Sequence, residues 1–226
     1  MTALGRPRLH LRSTTSTNDR ARALAQGGAP HGTLVTAGEQ HAGRGRQGRT
    51  WSAPPGRALL LSLVLRDTPA LLPLAAGLAV AEVAGPASLV KWPNDVLVDG
   101  RKVAGILAEG RPDEGWAVLG IGINVALRID ELPPELHDTA GTLGLEPVDL
   151  EPTLARLMDV LEGALALDTS ALLDAYRARD ALRGREVSWS GGRGTAAGID
   201  GAGRLVVELA DGGRTALSAG EVHLLR

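Results

Sequence analysis

The chain has 226 residues, 24 basic against 26 acidic side chains, no cysteine, and four Trp, one Tyr and no Phe. That length suits one large domain, or a domain with a small appendage, and supplies ample apolar material for a core. The near balance of charge argues against a general nucleic-acid binder, and the lack of cysteine excludes disulfides, thiolate metal sites and a thiol nucleophile. A cysteine-free chain fits a reducing compartment, and a cytoplasmic location is expected. No apolar signal segment opens the chain. Its longest uncharged stretch, residues 68–81, contains Pro69 and Pro73 and falls short of the ~20 residues needed to cross a bilayer, so no membrane partner is expected.

In chain order, residues 8–12 read as a short strand. Ser16-Thr17-Asn18-Asp19 is helix-capping chemistry ahead of residues 20–26, with Gly27-Gly28 as the stop. Residues 33–37 read as a strand, and the continuous apolar run 58–65 as a buried one. Residues 69–84 suit a core helix. Strands follow at 96–98, 102–109 and 116–125, with turn signals at Asp99-Gly100 and around residues 112–115. These elements predict an α+β domain built round one mixed sheet. Helices are expected near 152–167 and 170–182. From Arg185 onward short strands (186–189, 195–199, 205–209, 214–217, 222–225) alternate with glycine turns, the pattern of a small twisted β-barrel. The expected division is residues 1–183 and 184–226.

Three clusters carry chemistry. Residues 43–51, GRGRQGRTW, set Gly43, Gly45 and Gly48 among Arg44, Arg46 and Arg49, closed by Trp51. Glycines let a loop wrap closely round an anion, and arginine forks fit carboxylates and phosphates. Between Gln40 and Arg66 there are five arginines and no acidic residue, so a positive field is expected here. The second cluster is KWPND, Lys91 to Asp95, where a lysine leaves a core strand beside a proline-fixed turn. If Asp99-Gly100 makes a hairpin, Asp95 and Lys102 approach across it, giving one site two lysines and a carboxylate. The third is GIGIN, Gly120 to Asn124. Glycines within a strand suggest that a ligand or another backbone comes close, and Asn124 suits a polar edge such as adenine or ribose. The phosphate-loop pattern GxxxxGK[ST] is absent, and the five histidines show no ligand spacing, so no resident metal site is expected.

In this order the clusters resemble the biotin–protein ligases. The resemblance runs through Ser16-Thr17-Asn18, Gln40, the arginine loop to Trp51, KWPND, Lys102 with Ala104-Gly105-Ile106-Leu107, and GIGIN. It continues through Gly198-Ile199-Asp200, Gly203, Leu205 and Gly220-Glu221-Val222 of an SH3-like tail, so it covers nearly the whole chain. It implies a catalytic domain of the biotin/lipoate ligase type and a two-step reaction: biotin and ATP give biotinyl-5′-AMP, with Mg²⁺ shielding the leaving pyrophosphate, and a lysine of a biotin carboxyl carrier protein then takes the acyl group. It also implies roles. Arg46, Lys91, Asp95 and Lys102 would be catalytic. Biotin would meet Ser16, Thr17, Asn18, Gln40, Gly43, Arg44, Gly45, Arg46, Trp51, Lys91, Gly105, Ile106 and Leu107. The nucleotide would meet Arg44, Arg46, Arg49, Trp51, Lys91, Asn94, Gly122 and Asn124. Only 15 residues precede Ser16, so a stand-alone ligase without a DNA-binding domain is expected, as monomer or homodimer. A lipoate-specific ligase and a non-catalytic biotin- or nucleotide-binding regulator are the competing readings. The aromatic residue that family members often place after GIGIN is missing from residues 128–145; Leu132, Leu136 or Leu143 would take its place.

Overall fold

A computed structural model describes residues 4–66, 68–111 and 114–225. Seven strands form the central sheet: β1 (Arg8–Leu11), β2 (Leu34–Ala37), β3 (Ala58–Arg66), β4 (Leu89–Lys91), β5 (Asp95–Val98), β6 (Arg101–Arg111) and β7 (Trp116–Asn124). Their order is β1-β2-β3-β7-β6-β5-β4. Only β1 and β2 run parallel; every other pair is antiparallel. The sheet is mixed, as the alternating elements predict. Pro112 and Asp113, at the turn expected around residues 112–115, lie outside the described residues.

β3 lies inside the sheet between β2 and β7 and is buried along almost its full length, which is why its run reads as continuously apolar. Leu59, Leu61, Leu63 and Leu65 face the main core; Val64 joins a smaller cluster with Ala21, Ala25, Val35, Trp116 and Val118 under helix α1 (Thr17–Gln26). On the other face lie α2 (Leu72–Ala84), α3 (Leu150–Leu165) and α4 (Thr169–Ala178). α2 begins three residues later than predicted. Residues 69–71 form a turn, with Leu72 N donating to Pro69 O at 3.2 Å, and Pro73 takes a first-turn position where its missing N–H costs no bond.

α4 ends at Ala178, short of the predicted 182. The following segment pairs with the sheet edge instead: Val90 N donates to Arg179 O at 2.8 Å, and Ala181 N to Val90 O at 3.0 Å. Satisfying an otherwise open strand edge outweighs one more helical turn. The chain then enters β8 (Glu186–Trp189), β9 (Gly192–Ile199), β10 (Leu205–Glu208), β11 (Arg214–Leu217) and β12 (His223–Leu224). They form an antiparallel five-stranded sheet in the order β11-β10-β9-β8-β12, the SH3-like unit of the sequence reading. Val187, Ala196, Leu205 and Val207 join the same core cluster as the central sheet, so this small unit leans on the larger one for its burial.

Candidate active site

One face of the central sheet is stripped of side chains where β6 and β7 pair. Gly105 lies opposite Gly122, and Leu107 opposite Gly120. A Cβ on Gly122 would fall 2.5 Å from the Trp51 indole, and one on Gly105 3.0 Å from it. A Cβ on Gly120 would fall 2.1 Å from Asn18 Oδ1. The close neighbours that these glycines admit are therefore side chains of this same chain. Above this floor opens a cavity of about 520 Å³. All the residues assigned from sequence to catalysis, biotin or the nucleotide line it except Gly43. Gly43 acts from behind: its carbonyl accepts from Trp51 N at 2.9 Å, and a Cβ there would lie 2.3 Å from Trp51 O.

The arginine loop is a closed hairpin. Gly45 N donates to Arg49 O at 2.7 Å, and the tip, Arg46–Gly48, is a tight turn with positive φ at Gln47 and Gly48. Its expected positive field is corrected by acids distant in sequence. Arg44 pairs with Asp19 at 2.9 Å and Glu109 at 3.3 Å, and Arg49 with Glu221 at 2.6 Å. Arg46 makes no ion pair among the described residues, and burial pulls its pKa down. An arginine remains protonated regardless, so Arg46 is the loop's unneutralised charge at the cavity.

Lys91 closes β4 and Asp95 opens β5, paired across the strands with the Trp-Pro-Asn turn between them. Asp99 and Gly100 both take positive φ, the two-residue turn that an Asp-Gly pair favours. Lys102 Nζ then lies 2.6 Å from Asp95 Oδ1, although not aligned as a hydrogen bond. Spacing alone would put Lys102 and Gly105 on opposite faces. Val103 is an extra residue in the pairing with β5, and this bulge restores Lys102 to the cavity face. Burial lowers the Lys91 pKa, the Asp95 charge opposes that shift, and Lys102 reinforces it. Asn94 is anchored to β6, donating from Nδ2 to Ile106 O at 3.0 Å. Trp92 is 3% exposed and donates from Nε1 to Gly203 O at 3.0 Å, tying this turn to the C-terminal sheet.

At the other end, Ser16 caps α1 through its backbone without a side-chain bond. Gln40 Oε1 accepts from Thr17 N at 2.7 Å and lies 3.0 Å from Thr17 Oγ1. Behind them lie two residues that sequence reasoning passed over. Ser62 Oγ is 2.6 Å from Asn18 Oδ1, and Glu109 Oε2 accepts from Asn18 Nδ2 at 2.8 Å. A lone hydroxyl in the apolar run LLLSLVL was the available signal for Ser62; Glu109 is 91 residues from Asn18 and had none.

The segment after GIGIN closes the remaining side. Leu132 and Leu136 line the cavity, whereas Leu143 does not and packs against the core. Asn124 pins this segment, donating from Nδ2 to Gly141 O at 2.9 Å. Lys102 holds it too, with its N donating to Thr139 O and its O accepting from Gly141 N, each at 2.8 Å. Leu224 of the C-terminal sheet completes the lining.

A mixed sheet with a glycine floor, an arginine hairpin and a lysine–carboxylate turn matches known proteins in both sequence and shape. Residues 10–125 match the biotin/lipoate A/B protein ligase family, and residues 183–225 the biotin protein ligase C-terminal domain. The chain is 39% identical to the biotin–[acetyl-CoA-carboxylase] ligase of Mycobacterium tuberculosis over 236 residues, covering 94% of this chain and 87% of that protein. It is 42% identical to the bifunctional ligase/repressor BirA of Bacillus spizizenii over 141 residues, 57% of this chain but 43% of that longer protein. Among solved structures, the biotin protein ligase of Aquifex aeolicus in complex with biotin and ATP superposes with a TM-score of 0.83 at 28% identity, covering 98% of this chain and 99% of that one. The chain belongs to the biotin/lipoate A/B protein ligase family.

Proposed function

We propose that this chain is an ATP-dependent biotin–protein ligase that forms biotinyl-5′-AMP and transfers biotin to a lysine of a carboxylase's biotin carboxyl carrier protein. The observation that carries this reading is the convergence of Arg46, Lys91 and the Asp95–Lys102 pair on one cavity whose far end is the Thr17–Asn18–Gln40 cluster. In the first step a carboxylate attacks the α-phosphorus of a nucleotide, anion upon anion. Cations fixed beforehand lower that barrier most. Lys91 sits between the two ends and bridges the acid's carboxylate and the α-phosphate, and Arg46 faces the same oxygens.

In the second step the incoming lysine must lose a proton. Asp95, held by Lys102, orients that amine and takes its proton, and AMP departs as the amide forms. The α1 end binds biotin's polar ring; Trp51 covers the junction; Gly122, Asn124, Leu132 and Leu136 meet the nucleotide. Among the described residues no group of three or more His, Cys, Asp or Glu gathers to hold an ion. The lining carboxylates are Asp95, engaged by Lys102, and Asp138. This donor set fits a Mg²⁺ carried largely on nucleotide phosphates. Catalysis is assigned to residues 1–183 and the SH3-like unit to 184–226. No described helix is long and apolar enough to cross a membrane; a cytoplasmic location is part of the proposal.

The test is biotin-dependent exchange of labelled pyrophosphate into ATP by the purified chain with Mg²⁺ and no carrier. Exchange with biotin but not with lipoate supports the assignment. Exchange with lipoate alone overturns the substrate, and binding of biotin without exchange overturns catalysis.

A further inference from the structure

Four polar side chains form a line beneath the Thr17–Gln40 end of the cavity. Asn18 Nδ2 donates to Glu109 Oε2 at 2.8 Å; Ser62 Oγ lies 2.6 Å from Asn18 Oδ1 and 2.8 Å from Thr17 Oγ1. Thr17, Asn18 and Ser62 are 3%, 4% and 0% exposed, so each must find its main partners within the line. Gly120 leaves the space in which Asn18 lies. The other oxygen of Glu109 faces Arg22 Nη2 at 2.9 Å and Arg44 Nη2 at 3.3 Å.

An ionised carboxylate only accepts hydrogen bonds. Asn18 must therefore meet Glu109 with its amide nitrogen, which turns Oδ1 toward Ser62. Ser62 has one hydroxyl hydrogen and cannot give it to both neighbours. Oδ1 has none to offer, so the serine hydrogen goes there, and the contact with Thr17 uses the threonine's own hydrogen, which leaves Gln40 Oε1 to the Thr17 backbone N–H at 2.7 Å. The direction of every bond in the line follows from the charge at one end. Two arginines, one of them in the loop, stabilise that charge.

We propose that Glu109 is a positioning residue: its carboxylate sets the donor–acceptor polarity of the Asn18–Ser62–Thr17 line and, through Arg44, fastens the arginine hairpin over it. This rests on the reading of that end as the biotin site. A ligand ring with fixed donors and acceptors finds Asn18 and Thr17 already turned the right way. Glutamine in place of Glu109 can present nitrogen or oxygen to Asn18, and the polarity is no longer imposed. Ser62 carries the same information one step further.

The experiment is calorimetric titration of biotin into the full chain as wild type, Glu109→Gln, Ser62→Ala and the double variant. Each is also assayed for Tm and for pyrophosphate exchange at saturating biotin. Each single variant should weaken biotin by about tenfold, the effect of one mispaired buried polar group. The exchange rate at saturating biotin should stay within about threefold, because the reacting atoms are elsewhere. The double variant should be no weaker than the weaker single one by more than about twofold, because both act on one line. Wild-type affinity in Glu109→Gln overturns the proposal, and so do losses that multiply in the double variant. Affinity, exchange rate and Tm falling together would mean a structural role only, which also overturns it. A wild-type chain that binds no biotin overturns the ligase reading instead, before any variant is compared.

Discussion

Arg49 of the arginine hairpin donates from Nη1 to Glu221 Oε1 at 2.6 Å, joining the loop over the cavity to the last turn of the C-terminal sheet. The partners are 172 residues apart in sequence, and both side chains are partly exposed. An exposed pair of this kind contributes about 0.2–1 kcal/mol and weakens with salt. Glu221→Gln should therefore loosen the hairpin without unfolding the chain. Hydrogen exchange over residues 43–48 should rise, and biotinyl-5′-AMP should leave up to about fivefold faster, the equivalent of ~1 kcal/mol. The difference should vanish at high ionic strength; a difference that persists there would discount the pair as the tether.

On the proposed reading, Lys91 should give adenylation an alkaline limit. Burial lowers its pKa, so the ammonium loses its proton at a lower pH than an exposed lysine does. The charged form is the one assigned to the α-phosphate, so adenylation is complete below that pKa and lost as pH rises through it. Lys91→Arg should move this limb upward, since arginine stays charged. Lys91→Ala should cut exchange by roughly 10²–10³, as removal of one preorganised charge-stabilising donor does. Near-normal exchange in Lys91→Ala would remove this residue from the mechanism.

The glycine floor makes a steric prediction. In Gly120→Ala the new methyl meets Asn18 Oδ1 at 2.1 Å, and Asn18 is held on both sides by Ser62 and Glu109. Overpacking such a site costs about 1–3 kcal/mol. Biotin binding should be lost at a modest drop in Tm. An alanine variant that binds biotin normally would show that Asn18 can move aside.

Asp180 concerns stability rather than turnover. Its Oδ1 accepts from Leu182 N at 2.9 Å, while Oδ2 is buried without a partner, and burial raises its pKa. The folded state therefore holds the proton more tightly than the unfolded chain does. This contribution is present at acidic pH and lost as pH rises above the ordinary carboxylate range through the raised folded value. Asp180→Asn should raise Tm at neutral pH by about 2–4 °C, a shift that roughly 1 kcal/mol produces at this size. The gain should shrink toward pH 4. Thermal scans across pH decide it, and a gain independent of pH would exclude titration of Asp180 as the cause.

Much of this site was legible because its residues cluster in short, chemically explicit runs. The glycines and arginines of 43–49, the Asp-Gly hairpin and the strand glycines of 120–122 each carry a local reason for their identity. Acid counter-charges were not legible: Asp19, Glu109 and Glu221 reach the loop only through the fold. The bulge at Val103 was hidden as well, since one inserted residue reverses side-chain alternation without leaving a composition signal. The end of α4 was misread for a similar reason, because the competing partner, the edge at Val90, lies about ninety residues upstream.

The slot under Trp51 also makes the protein its own indicator. The indole lies on Gly105 and Gly122, its Nε1–H is buried without an acceptor, and the Lys102 ammonium stands 5.6 Å from the ring centroid. Indole emission responds to a nearby cation and to solvent reaching the ring. A ligand that shifts the ring, shifts the lysine or supplies the missing acceptor changes that emission. Substrate arrival should thus be visible in unlabelled protein by its intrinsic fluorescence, and Trp51→Phe should silence that component while Trp92, Trp116 and Trp189 continue to emit.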